Sequence, residues 1–335
     1  MLANQKQSVR ISLPSKGRLA EDALAFLAAC GLDVYKPNPR QYEAVIPALP
    51  GLHVLFQRPA DIVVSVRDGS VDFGITGMDV IEERRGLNGD VLVLHDELGF
   101  GACSLMFAVP ENWENVTNMA GLMAYATDLE SPLRVATKYP QLAGSFLEKR
   151  GFSYTLISAE GTLETAPAIG YADLICDIVS SGQTLRDNRL RPLEDGVVIN
   201  SQASLIANLH SLKTQPVALE MAQVLLEYFE AHLRASGNLA IFANMRGISP
   251  AAVAACIFEN CHIHGLQGPT ISQVIVRDEQ EGWYAANLIV PRSQLFETIQ
   301  DLRRAGGSGV VVVPVSYIFD EEPPRYKAML EALGQ

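Results

Sequence analysis

The chain has 335 residues, 48% of them apolar and 19% charged, with a formal net charge of −12. That length exceeds one typical core and predicts two or three domains, and the apolar share excludes a disordered chain. The acidic balance excludes non-specific nucleic-acid binding, and no apolar run approaches the roughly 20 residues that cross a bilayer.

Residues 9–13 are strand-like and run into a loop, residues 14–17. Leu19, Ala23, Phe26, Leu27 and Cys30 then recur at helical spacing, and Gly31 ends the helix. An apolar run, 61–66, stops at the turn signal Asp68-Gly69. Residues 71–75 are strand-like and lead to Thr76-Gly77, and 103–109 form a buried strand closed by Pro110. A strand at 134–137 precedes a helical stretch reaching Arg150. Next come a strand at 154–157, a helix-like segment and a strand at 174–179. This alternation predicts an α/β region with mixed or parallel sheets, long enough for two lobes with a cleft between them.

A long connecting helix follows, with Val217, Met221, Val224, Leu225, Tyr228, Phe229 and His232 on one face and Gly237 at its end. Beyond it lie a strand (239–245), a helix opened by Ser249-Pro250, a hairpin (270–276 and 283–290), a helix (293–305) and a last strand (309–315). The order β-α-β-β-α-β is that of a ferredoxin-like domain. The tail from Glu321 reads as a linker with a short terminal helix.

The first residues contain no apolar core of the signal-peptide kind, and the five cysteines are scattered without a Cys-x-x-Cys pair, which predicts reduced thiols in the cytoplasm. Cys261 stands near His262 and His264, but the spacing fits no zinc pattern, so no metal site is assigned and a helix end and loop is the plain reading.

The most informative stretch is 160–185. It ends in a strand carrying Asp177, followed by Ser180, Ser181, Gly182, Gln183 and Thr184. Small hydroxylated residues and a glycine after a strand let backbone N–H groups converge, and a helix starting there adds its positive end. That suits a phosphate monoester, with the carboxylate placed to accept hydrogen bonds from neighbouring ribose hydroxyls. An ordinary strand-to-helix turn with a Ser cap would account for the five loop residues alone.

The whole string is similar to the signature of the ATP phosphoribosyltransferase family, the first enzyme of histidine biosynthesis. Glu164, Gly170, Ala172, Ile175, Asp177, Ser181, Gly182, Thr184 and Leu185 fall in register with it. Segments 15–19, 58–61, 71–77, 99–103 and 134–140 resemble the same family in the same order. Segments 268–271 and 305–310 resemble its long form. Three features depart from the pattern: Glu160 where Asn-Gly is common, the segment after Met245, and the tail beyond Phe319.

The resemblance implies a two-lobed, periplasmic-binding-protein-like catalytic region with a C-terminal ferredoxin-like regulatory domain. Expected bounds are 1–105 for lobe I (completed by about 186–215), 106–185 for lobe II, 216–237 for the connecting helix, 238–320 for the regulatory domain and 321–335 for the tail. It implies transfer of the phosphoribosyl group of PRPP to N1 of ATP, releasing pyrophosphate, with magnesium as cofactor and L-histidine as inhibitor. A cytoplasmic homo-oligomer, a hexamer, is implied, with no nucleic-acid or membrane partner. Residues 180–184 would hold the 5′-phosphate and Asp177 the ribose. Lys16 and Arg18 would neutralise polyphosphate, the alternative for Arg18 being a solvated helix-start charge. Arg58, Thr76 and Gly77 would line the opposite lobe. Glu164 either bonds a base or ribose or caps a helix, and Tyr139 either packs on adenine or is a core tyrosine. Leu266, Thr270 and Gly309 would lie at histidine. No serine elbow or Cys/His pair signals a covalent nucleophile. A second class stays open: a two-lobed protein that binds a phosphorylated ligand without chemistry. The joint presence of Lys16, Arg18 and the Asp177 loop argues against it, and against a catalytically dead regulatory paralogue.

Overall fold

The computed structural model describes residues 8–38, 41–158, 163–260, 268–276 and 282–334. They form two compact units, one spanning Met1–Leu226 and Pro324–Gln335, the other Glu227–Pro323.

The first unit contains two sheets. Its chain begins β1 (Val9–Pro14), α1 (Arg18–Ala29), β2 (Glu43–Val45), β3 (Leu52–Gln57), α2 (Pro59–Arg67), β4 (Phe73–Gly77), α3 (Met78–Arg84) and β5 (Val91–His95). It crosses to β6 (Cys103–Pro110), α4 (Met119–Thr127), β7 (Leu133–Thr137), α5 (Pro140–Glu148), β8 (Tyr154–Ser158), β9 (Leu174–Val179), α6 (Gln183–Asp187) and β10 (Leu190–Ser201). It then returns through β11 (Ala203–Asn208) to α7 (Leu209–Thr214) and α8 (Pro216–Ala235).

The first lobe has strand order β2-β3-β1-β4-β11-β5, with β1 parallel to β3 and β4, and β11 antiparallel to both its neighbours. Ile11, Leu13, Ile62, Phe73 and Ile75 are fully buried there. Helix α2 lies so close over β4 that a Cβ on Gly74 would stand 2.5 Å from Ile62 Cγ2. The second lobe has order β10-β6-β9-β7-β8, and Phe107, Val135, Leu147 and Leu174 fill its core. The parallel strands β7 and β9 end on the side where β6 begins, so their loops open toward the crossovers between the lobes.

The second unit continues with β12 (Asn238–Arg246), α9 (Pro250–Asn260), β13 (Thr270–Gln273), β14 (Trp283–Pro291), α10 (Leu295–Arg304) and β15 (Ser308–Pro314). Its sheet order is β13-β14-β12-β15, all antiparallel, which is the ferredoxin-like order. Ile241, Met245, Tyr284 and Leu288 alternate inward along β12 and β14 and pack with Val253, Ile257 and Leu302 of the two helices. The Ser249 hydroxyl accepts the Ala252 N–H at 3.1 Å, the cap expected of Ser before Pro. The last helix, α11 (Pro324–Leu333), belongs to the first unit.

Three local expectations change, and one run left without an element type is settled. The run 61–66 is helical, and 190–201 joins the second sheet rather than the first. The segment expected to be helix-like after residue 157 contains only one 3₁₀ turn among its described residues, Leu163–Thr165. On α8 the buried face runs through Ala218, Ala222, Leu225 and Phe229, while Val217 is 49% exposed. Alanines carried that face, which a search for large apolar residues passes over.

Candidate active site

The loop after β9 is built around Gly182, whose φ of 71° only glycine adopts without strain. It turns the chain into α6 and is braced from within. The Gln183 N–H donates to Ser181 Oγ (3.3 Å), and Arg186 Nη2 donates to Ser181 O (3.2 Å) and Gln183 Oε1 (3.1 Å). Gln183 Nε2 donates to Asp187 Oδ1 at 2.6 Å. The N–H groups of Ser181, Gly182 and Thr184 donate to no acceptor among the described residues, and Ser180, Ser181, Gln183 and Thr184 are exposed. Unpartnered amides beside a guanidinium are of the chemistry that suits an anion. Arg186 went unread in the sequence, although it sits one helical turn past Gly182.

Asp177 precedes the loop, half-buried, with Oδ1 accepting the Ile178 N–H at 2.8 Å. Burial raises its pKa, the Ile178 N–H and Lys138 lower it, and Glu164 raises it further. Lys138 and Glu164 therefore share its electrostatic neighbourhood. Glu160 lies outside the described residues.

The first lobe supplies the loop after β1. Gly17 stands there at φ 79°, between the exposed Lys16 and Arg18. Arg18 reaches Asp22 at 3.6 Å but stays 87% exposed. Arg58 is exposed at the start of α2. Thr76 is fully buried, its hydroxyl 3.5 Å from Pro59 O, so it serves the strand and not the cleft wall.

A cavity of about 320 Å³ lies between the lobes, lined by Arg18, Gly77, Asp79, Cys103, Tyr139 and Ser180 among others. A neighbouring one of about 540 Å³ shares Cys103 and Ser180 and reaches Asp96 and Asn200. The fold thus brings Arg18, Gly77, Tyr139 and Ser180 to one cavity. Lys16, Arg58, Glu164, Asp177 and 181–184 do not line it.

Two carboxylates on α3 were not anticipated. Asp79 and Glu83, 5% and 7% exposed, are four residues apart on one helix face. Asp79 accepts the Tyr139 hydroxyl (2.7 Å) and the Ser201 hydroxyl (2.5 Å). Glu83 accepts the Gln141 and Leu142 N–H groups at the start of α5, both at 3.0 Å. Helix α3 belongs to the first lobe and its partners to the second, so these contacts pin the lobes together. Tyr139 is therefore anchored by its hydroxyl, with its pKa raised by burial and by Asp79.

Burial pushes the Cys30 thiol up to about 12 and raises Cys103 and Cys176 as well, so none of these three is a ready nucleophile. No group of three His, Cys, Asp or Glu suited to a metal occurs among the described residues. No helix of the described residues is long and apolar enough to cross a membrane. Asp173 pairs with Arg134 at 2.7 Å away from the cleft, a structural link. In the second unit, Thr270 is exposed on β13 and Gly309, φ 57°, lies on β15. Those strands are the opposite edges of the sheet, roughly 14 Å apart at the usual strand spacing. Leu266 lies outside the described residues.

Fold and cleft define a two-lobed α/β protein with a cavity between its lobes, joined to a ferredoxin-like unit. A family model described as ATP phosphoribosyltransferase matches residues 58–230, and one described as HisG, C-terminal domain, matches 235–317. "ATP phosphoribosyltransferase 2, chloroplastic" of Arabidopsis thaliana is 44% identical over 337 residues, covering 98% of this chain and 81% of that protein. "ATP phosphoribosyltransferase" of Rhodopseudomonas palustris (strain BisA53) is 34% identical over 328 residues, covering 96% and 97%. The solved ATP phosphoribosyl transferase (HisG:HisZ) complex from Thermotoga maritima superposes with a TM-score of 0.52 at 23% identity, covering 66% of this chain and 96% of that one, a likeness of fold. The chain belongs to the ATP phosphoribosyltransferase family, in the long form that carries the HisG C-terminal domain.

Proposed function

We propose that the enzyme binds the 5′-phosphate of PRPP in the loop Ser180–Thr184, displaces pyrophosphate from C1 by N1 of ATP, and is inhibited by L-histidine. The observation that carries this reading is the braced Gly182 turn that follows Ser180, a residue lining the inter-lobe cavity, with unpartnered amides, exposed hydroxyls and Arg186 along it. Asp177 takes hydrogen bonds from the ribose hydroxyls, and Lys16, Arg18 and Arg58 meet the polyphosphates from the other lobe. Gly77 lines the wall and leaves room for the Asp79 carboxylate, and Tyr139 lines the cavity beside it. Catalysis then comes from positioning and from stabilising the leaving charge, with no covalent intermediate.

Magnesium fits this site as an ion carried by the substrate. Asp177 is a hard oxygen donor beside it, while three clustered protein ligands are absent among the described residues. When bound, it would neutralise pyrophosphate charge. Histidine inhibition and a hexameric assembly complete the reading, supported by the long-form domain content; two relatives are chloroplastic, so a plastid suits the enzyme as well as the cytoplasm. Inhibition of the full chain by millimolar histidine and sedimentation of the free enzyme test the first two.

Thr184→Ala tests the cradle. Losing a hydrogen bond to a charged acceptor weakens PRPP binding by about 1.5–3 kcal/mol, with little change in thermal stability. Calorimetry showing wild-type PRPP affinity, together with wild-type turnover, would remove the loop from the site.

A further inference from the structure

Helix α11 lies beyond both matched family segments, which end at residues 230 and 317. It follows the second unit in sequence yet packs in the first, against β5 and α7, with Met329 and Leu333 buried four residues apart. The second unit is therefore an insertion whose two ends are both anchored in the catalytic unit. At the start of α11, Arg325 donates to Asp96 Oδ1 through Nη2 (2.8 Å) and Nε (3.3 Å).

Asp96 opens the crossover from β5 to β6, one of two segments joining the lobes. The segments are tied to each other. Asp96 O accepts the Ser204 hydroxyl (2.9 Å), the Leu98 N–H donates to Ala203 O (3.0 Å), the Ala203 N–H donates to Phe100 O (2.9 Å), and the Gly99 N–H donates to Gln202 Oε1 (3.3 Å). The same Asp96 lines the cavity that Ser180 borders. An exposed ion pair by itself contributes little to stability. This one has a second consequence, because it fixes a residue in the hinge to a helix held by the far end of the chain.

We infer that Arg325 is a positioning residue for the transferase reaction: through Asp96 it holds the inter-lobe crossover in the arrangement that closes the cleft. Without it the lobes sample open arrangements more often, and apparent substrate affinity falls by the fraction of closed molecules.

The test compares the full-length enzyme with Arg325→Ala, Arg325→Lys, Asp96→Asn and the Arg325→Ala/Asp96→Asn double variant. Arg325→Ala is expected to raise KM for PRPP three- to tenfold with kcat within twofold, and Arg325→Lys to recover part of the loss. Amide exchange at Leu98, Gly99 and Ala203 should quicken, while β12 amides stay protected. The double variant should be no worse than Arg325→Ala. Wild-type KM and wild-type protection at those amides in Arg325→Ala overturn the inference, whatever the melting temperature does. So do additive KM effects in the double variant. Should Arg325→Ala fail to fold, the KM and exchange of Asp96→Asn decide by the same criteria.

Discussion

Two loops border the cavity between the lobes, one through Arg18 and the other through Ser180, and they are built on opposite plans. Both follow the C-terminal end of a strand, and both turn on a glycine of positive φ, Gly17 at φ 79°, ψ −178° and Gly182 at φ 71°, ψ 4°. Around Gly182 the loop is closed on itself, with Arg186 and Gln183 tying its carbonyl and amide groups. Around Gly17 there is open space, with no atom within 4 Å of a Cβ placed there, and Lys16 and Arg18 extend into solvent. A braced loop spends little ordering entropy when its ligand arrives, so it suits an unchanging phosphate. Exposed cations can instead meet the leaving group, where charge grows in the transition state. On the proposed reading, this difference would give binding to the second lobe and rate to the first.

The sharpest way to break that division is Arg18. Arg18→Ala should lower kcat by about a hundredfold, the scale for losing one donor to developing charge, while PRPP affinity changes little. Arg18→Lys should lose less, because lysine keeps the charge but not the fork. Steady-state kinetics with both variants check this, and wild-type kcat in both makes Arg18 a solvated charge only.

The next test is Gly182→Ala. A Cβ in the left-handed region costs about 1–2 kcal/mol. It would also stand 3.2 Å from Arg186 Nη1, pressing on the guanidinium that braces Ser181. PRPP affinity measured by calorimetry should fall by about tenfold, with kcat at saturation much less affected. A pure kcat defect at full PRPP affinity would reverse the roles given to the two loops.

How much of this was legible in the sequence depends on where the determinants lie. The opening strand, loop and helix were readable because Leu19, Ala23, Phe26 and Leu27 repeat at helical spacing and do pack inward or near it. The C-terminal order was readable for the same reason, since Ile241, Met245, Tyr284 and Leu288 alternate. The short run containing Ile62, Val63 and Val66 had no decisive period, and only the packing of α2 over Gly74 settles it as helix. Asp79 and Glu83 look like ordinary surface charges on a helix, because their partners, Tyr139 and the start of α5, are some sixty residues away. Arg186 hid in plain view, since nothing in the string says that its side chain folds back. The tail could be read as a helix but not as a return to the first unit, which depends on Met329 and Leu333 finding β5 and α7.

The smallest expected effect is the most discriminating. Gly17→Ala imposes a larger backbone penalty than Gly182→Ala, because Gly17 sits at φ 79°, ψ −178°, a region essentially confined to glycine, whereas Gly182 is left-handed helical at φ 71°, ψ 4°. Its Cβ meets nothing, so no neighbouring side chain is displaced. The penalty should therefore appear as stability alone, about 1–3 kcal/mol, with a drop of roughly 2–4 °C in melting temperature for each kcal/mol in a unit of this size. PRPP affinity should stay within about twofold of wild type, since the Gly182 cradle is untouched. If Gly17→Ala instead loses PRPP affinity as strongly as Gly182→Ala, the first loop is as preorganised for the ligand as the second. The split between a binding lobe and a rate lobe would then give way to one shared grip on the substrate.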